Sequence, residues 1–358
     1  MRRVLELDGL RGLAALAVLV AHLFGEPEHG IQGLSLGWLG VSVFFALSGY
    51  LIGGIILDDI GKASFFRTFF ARRAARILPI YFVVVTLSLI AAGLTAGMSW
   101  ADRPLHPAVY FTFTSNVFVS LGAEGGQWLL PTWTVAVEEQ FYLLLPLLIL
   151  LTPRKYLLPT LAALCASSVI YRALMVPSNV EAASMLLPGR ADTLLYGVIA
   201  ALLQRSAAIG QHLNALRFVA LAALAALVAT LASGNYNLTV VFSPALVGIA
   251  TSSLILLAAA GSPDLRSTRA PILTWFGAIS YGLYLVHQPI NGLAHGLFLN
   301  DRPDVQTVPQ IAVTFGAAGA SIAVAWASWR WFEGPILGWT RRAQTRSAER
   351  VLRSQQAA

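Results

Sequence analysis

Apolar runs long enough to cross a bilayer recur from one end of this chain to the other. About twenty apolar residues in a helix match the hydrocarbon thickness of a membrane, and backbone in lipid must satisfy its own hydrogen bonds. Eleven runs stand out, at 7–24, 37–57, 79–97, 107–121, 133–151, 157–176, 189–204, 216–232, 240–260, 272–293 and 309–331. With 57% hydrophobic and 11% charged residues and a mean hydropathy of +0.69, the chain lies outside the soluble globular class. The expected fold is all-α, a polytopic membrane bundle of about ten transmembrane helices plus one re-entrant or short segment.

The run at 107–121 is the exception, because it is short and carries Thr112, Thr114, Ser115 and Asn116. Topology turns on it. Lys and Arg concentrate at Arg2 and Arg3, Arg67–Arg76, Arg154 and Lys155, Arg205 and Arg217, Arg266 and Arg269, and beyond Arg330. If 107–121 re-enters instead of crossing, all of these fall on the cytoplasmic side, as the positive-inside rule requires. Both termini are then expected in the cytoplasm. The net charge of +7 is accounted for by these loops, and nucleic acid is not an expected partner. The start, MRR before an apolar run, resembles a signal peptide. Arg11 inside that run and the second run close behind favour a retained first span. A lone Cys165 cannot form an intrachain disulfide. No repeat or linker divides the chain, so the expected units are a membrane domain at 1–335 and a basic cytoplasmic tail at 336–358.

Ionisable residues inside the spans are the candidates for chemistry. Asp8 is read as the N-cap of the first helix. Eleven positions separate Arg11 from His22, roughly three turns plus 20°, so both share one stripe about 16 Å long. One reading makes His22 a general base above an Arg11 anchor. The other lets Arg11 snorkel to the surface while His22 bonds a neighbouring helix. Phe65, Phe66, Phe69 and Phe70 with Arg72, Arg73 and Arg76 suggest an amphipathic surface segment ahead of a span opened by Pro79. Those arginines suit the phosphates of a coenzyme A donor, or serve as a topology signal bound to lipid headgroups. Glu138 lies about two turns into its span and is a candidate to orient the imidazole. Ser48 and Tyr284 are candidate oxyanion donors. Arg190 and Asp192 read as a helix-end pair that shapes the site. His287, beside Pro289, reads equally as catalytic or structural. His106, His212 and His295 are placed in loops and carry no role. No grouping has the spacing of a metal site, and none is expected.

Several of these pieces in one order resemble the acyltransferase 3 family of membrane acyltransferases. LDGLRGLAALAVLVAH resembles its first-helix Arg-x10-His motif, through Arg11 and His22. VFFALSGYLI resembles its Ser-Gly motif, at Ser48 and Gly49, and FFARRAARILPIY its Arg-rich third-helix entry, at Arg72, Arg73, Arg76 and Pro79. WTVAVEEQFYLLLP resembles its Trp, Glu, Phe-Tyr motif, at Trp133, Glu138, Phe141 and Tyr142; Val135 replaces a common Leu. GRADTLLYG, SYGLYLVHQP and FEGP, with Glu333, also fit. The resemblance implies ten spans in a bacterial inner membrane. It implies transfer of an acyl group, usually acetyl, from acetyl-CoA or another acyl-CoA to a hydroxyl of a carbohydrate, glycolipid or other small acceptor. His22, Arg11 and Glu138 are then the catalytic set, and Arg72, Arg73 and Arg76 hold the donor. Ser48, Trp133, Tyr142, Arg190, Asp192, Tyr284 and His287 line the substrate site. Membrane lipids and the hydroxyl-bearing acceptor are the expected partners. A soluble hydrolase-like domain, found after the last span in some members, is not expected here. The rival reading is a transporter or flippase for an acyl group or lipid-linked sugar, since buried charges also mark transport paths.

Overall fold

The computed structural model describes residues 4–205, 209–340 and 342. Among these, the fold is helical throughout. The long elements are α1 (Leu5–Val20), α2 (Leu39–Asp59), α3 (Phe65–Leu94), α6 (Thr132–Leu151), α7 (Arg154–Met175), α9 (Leu187–Leu203), α10 (Leu213–Ala232), α11 (Tyr236–Ala259), α12 (Pro271–Leu299) and α13 (Val308–Ser328). Short helices α4 (Pro107–Phe111), α5 (Ser115–Ser120) and α8 (Val180–Met185) lie between them. Nine helical stretches among the described residues are long and apolar enough to cross a membrane. The 29-residue α12 has the length, but its Tyr, His, Gln and Asn residues keep it less apolar than those nine. The protein is a multi-pass helical membrane protein.

At 5 and 6 residues, α4 and α5 extend only about 8 and 9 Å, so neither is long enough to cross a bilayer. Phe113, with φ of 54°, makes the bend between them. Asn116 Nδ2 donates to Gln140 Oε1 and to the Met185 carbonyl, tying the turn to α6 and to the end of α8. Buried irregular backbone of this kind is tolerated where protein groups satisfy it.

Ion pairs knit the basic loops into one face. Arg269 pairs with Glu6, Arg205 with Asp58 at 2.5 Å, and Arg217 with Asp264 at 2.7 Å. At the opposite ends of α1 and α12, His29 meets Asp304 at 2.6 Å. Helices α2 and α11 are the most enclosed, while α10 and α13 lie outermost and present side chains such as Phe218 and Phe315 outward.

Two glycine contacts bring long helices together at backbone distance. A Cβ on Gly49 would sit 1.8 Å from the Leu194 carbonyl oxygen, and one on Gly12 would sit 2.0 Å from that of Leu273. Backbones this close bring α2 onto α9 and α1 onto α12, the pattern by which small residues drive helix association in lipid. The second contact puts the Arg11–His22 stripe against Ser280, Tyr284 and His287.

Some expectations are corrected. Helix α1 starts at Leu5 with Val4 as its N-cap, and Asp8 falls in its first turn, where a carboxylate favours the helix dipole instead. The amphipathic segment and the third span are a single helix, α3, with Pro79 inside it. Phe65 and Phe69 are buried in the core and only Phe66 is well exposed, because α3 runs against the bundle before Pro79 and not along the surface. His295 is a buried residue of α12, with Nε2 2.9 Å from Thr314 Oγ1. Most of the expected tail at 336–358 lies outside the described residues.

Candidate active site

A cavity of about 230 Å³ opens between α1, α2, α3, α6 and α12. Helical spacing supplies its polar wall: Arg73 and Arg76 from α3, Glu138 and Tyr142 from α6, Ser280 and Tyr284 from α12, with Arg11 and Ser48 facing them. Val41, Phe44, Phe45, Ile52 and Ile77 form its apolar side. Ser48 Oγ lies 2.5 Å from Tyr142 Oη. Glu138 lies beside both on the cavity wall and feels the charges of Arg11 and Arg73. Arg73 keeps a buried Nε with no partner. A guanidinium donor held unsatisfied beside a cavity is costly unless an anionic or carbonyl oxygen completes it. Arg72 is exposed and is not part of the cavity wall.

His22 does not line this cavity. A turn of π-helix, Ala21–Gly25, follows α1 and carries the imidazole to α12. There His22 Nδ1 lies 2.7 Å from His287 Nε2, with the rings nearly parallel at 7°. Tautomers follow from the next contact. His287 Nδ1 is 3.1 Å from the Leu283 carbonyl, which can only accept, so Nδ1 carries the proton. His287 Nε2 is then the acceptor in the neutral ring, and His22 Nδ1 donates to it. That leaves the lone pair of His22 on Nε2. This nitrogen faces Glu26 Oε1 at 3.6 Å. Glu26 lies just past the π turn with 41% of its side chain exposed, and partial burial pushes its carboxyl up to about 7. The imidazole is therefore oriented by His287; Glu138, expected in that role, stands with Ser48 and Tyr142 instead.

The two regions meet at one residue pair. Ser280 and Tyr284 border the large cavity and also a small pocket of about 10 Å³, which His287 lines from the other side. Tyr284 is held in place by Thr134 Oγ1, which donates to its hydroxyl at 3.0 Å, and its ring lies 5.9 Å from that of His287.

Arg190 and Asp192 do not pair with each other. Asp192 bonds Arg172 at 2.6 Å, and both side chains are fully enclosed. Arg172 also donates to the carbonyls of Val241 and Gly189, and the other Asp192 oxygen accepts from the Thr193 N–H. This is a strut joining α7, α9 and α11, so Asp192 is structural. Arg190 lies over the Trp133 ring at 5.4 Å, donates through Nε to the Ser184 carbonyl, and has a buried Nη1 without a partner. Sequence reading missed Arg172 and Glu26. An arginine inside the 157–176 run was a visible signal for the first; nothing marked the second, which acquires its place through the π turn.

The sequence profile of the acyltransferase 3 family, an acyltransferase domain, matches residues 4–330. The chain belongs to the acyltransferase 3 family. It is similar to the peptidoglycan O-acetyltransferase OatA of Listeria monocytogenes, 26% identical over 92% of this chain and 55% of that protein. It is likewise similar to the putative peptidoglycan O-acetyltransferase YrhL of Bacillus subtilis, 29% identical over 81% of this chain and 49% of the relative. A putative O-acetyltransferase of Staphylococcus aureus is 26% identical over 94% of this chain and 58% of its own length. The chain thus spans about half the length of the curated relatives it matches. No solved structure matches it.

Proposed function

We propose that this acyltransferase moves an acetyl group from acetyl-CoA, or another acyl-CoA, to a hydroxyl of a cell-envelope carbohydrate at the bacterial cytoplasmic membrane. Relatives named as peptidoglycan O-acetyltransferases support a carbohydrate acceptor. The observation that carries the reading is the placement of Tyr284 and Ser280 between an arginine-lined cavity and the histidine pair. Arg73 and Arg76 receive the donor's phosphates from the basic, cytoplasmic face, and Arg11 positions its acyl arm. Ser48, Tyr142 and Glu138 line the arm's path. At the far end of that path, His22 Nε2 takes the proton of the acceptor hydroxyl. The hydroxyl oxygen bonds to the acyl carbon, the carbon–sulfur bond breaks, and coenzyme A leaves as the thiolate, which water protonates.

Ser280 and Tyr284 stand between the cavity and the histidine pair, so the acetyl group passes these two side chains on its way to His22. The test is purified protein in detergent with labelled acetyl-CoA and cell-envelope glycan. Detergent removes any compartment, so label transfer there reports bond chemistry and not transport. His22→Ala is expected to lower transfer on the order of 10²–10⁴-fold, with Arg11→Ala also strongly impaired. Undiminished transfer by both variants removes the mechanism.

A further inference from the structure

We propose that Glu26 is a positioning residue for His22: its carboxylate stabilises the imidazolium formed when Nε2 takes the acceptor's proton, then passes that proton to water at the exposed end of the bundle. This rests on the proposed function above. The geometry stands apart from it. The Leu283 carbonyl holds His287 Nδ1–H, His287 Nε2 holds His22 Nδ1–H, and each contact fixes the next tautomer. At the end of this chain the lone pair of His22 has one charged neighbour, Glu26 Oε1 at 3.6 Å.

The two faces of the imidazole therefore differ. On one side Nδ1 meets a buried, neutral ring, His287, which is 1% exposed and offers no route for a proton. On the other side Nε2 meets a carboxylate whose side chain is 41% exposed. An imidazolium at this depth needs a nearby anion, since burial disfavours its charge. The elements packed on the π turn supply no other. The 3-10 turn Leu34–Trp38 and α13 bring no titratable side chain. Helix α12 brings His287, already bonded to His22, and Tyr284; the adjoining loop brings Glu28, which is exposed and makes no ion pair with His22, and His29, which is committed to Asp304. On α1 the nearest charge is Arg11, eleven residues earlier. The hand-over balances: the proton leaving the acceptor oxygen passes through Nε2 and Oε1 to water, and water returns one to the departing thiolate.

Glu26→Gln keeps the shape and removes the charge. With acetyl-CoA and glycan acceptor it is expected to lower kcat about tenfold, leave the KM for acetyl-CoA unchanged, and move the acid limb of the rate profile about one unit lower, because a carboxylate favours the charged imidazole. Glu26→Asp should restore part of kcat. Parent-like kcat and an unmoved acid limb in Glu26→Gln overturn the proposal, as does a loss that Asp does not relieve. A parent protein that transfers no label overturns the functional reading instead. In that event NMR titration of His22 in the resting protein still decides the matter: a midpoint about one unit lower in Glu26→Gln supports the pairing, and an unchanged midpoint ends it.

Discussion

Arg172 and Arg73 are both arginines sunk in the helical bundle, and they are held in opposite ways. Arg172 spends its fork on the Val241 and Gly189 carbonyls and on Asp192, with no exposed surface on either partner of the ion pair. Arg73 borders a cavity, senses Glu138 and Glu139 without forming an ion pair with either, and leaves Nε bare. A completed guanidinium is a joint between helices. An incomplete one keeps a free donor at the cavity, the position that the proposed acyl-CoA site requires. Burial alone does not separate structure from function here; satisfaction of the donors does.

The largest test of that contrast is Arg172→Met. It strands the Asp192 charge in the bundle, at about 3–5 kcal/mol. Monodisperse protein should be lost on size exclusion in detergent, and Asp192→Leu in the same chain should recover most of it. Full stability of the single variant breaks the comparison. Next is Gly49→Ala. Its Cβ would lie 1.8 Å from the Leu194 oxygen, so α2 must part from α9, the helix that carries Asp192. Overpacking of this kind costs about 1–3 kcal/mol, which a lower Tm would register. Because Ser48 rides on the same turn, the donor KM should rise as well. Arg73→Ala should leave Tm near that of the parent and raise the KM for acyl-CoA about tenfold, equivalent to about 1.4 kcal/mol. Arg72→Ala, outside the cavity wall, should raise it less. Equal effects of the two would sharpen the donor's path toward the surface.

The smallest effect is the loop latch. His29 is raised from its ordinary value by its hydrogen bond to Asp304. Asp304 feels burial, which raises it, but the bonds from His29 and from the Val305 N–H leave it lowered overall. The histidine's contribution is whole below about pH 6.5 and fades as pH rises through its elevated value; the carboxylate's is whole above about pH 4 and fades below it. Hydrogen exchange in the 26–38 and 300–307 loops should therefore be slowest at mildly acidic pH and quicken toward pH 8 and beyond. Exchange independent of pH after correction for intrinsic rates would dissolve the latch.

Much of this was legible from the chain. The apolar runs marked the long helices, and the polar run at 107–121 marked the segment that forms two short ones. The motifs that resemble the family named Arg72, Arg73 and Arg76 with Glu138 and Tyr142, and all of these but Arg72 do meet in one cavity. Pairing was not legible. Arg190 and Asp192, two positions apart, read as partners, yet Asp192 pairs with Arg172, 20 residues away. His22 found His287 across 265 residues, and Glu138, the partner suggested for it, sits with Ser48 instead.

What the sequence alone determined is the set of spans and the face of each helix that carries polar atoms, because hydropathy and the 3.6-residue turn act along a single segment. Which polar face meets which was decided only by tertiary packing. Contacts such as Gly49 on Leu194 and Gly12 on Leu273 set how closely and at what register two helices can approach, and a shift of one residue there would rotate every partner away.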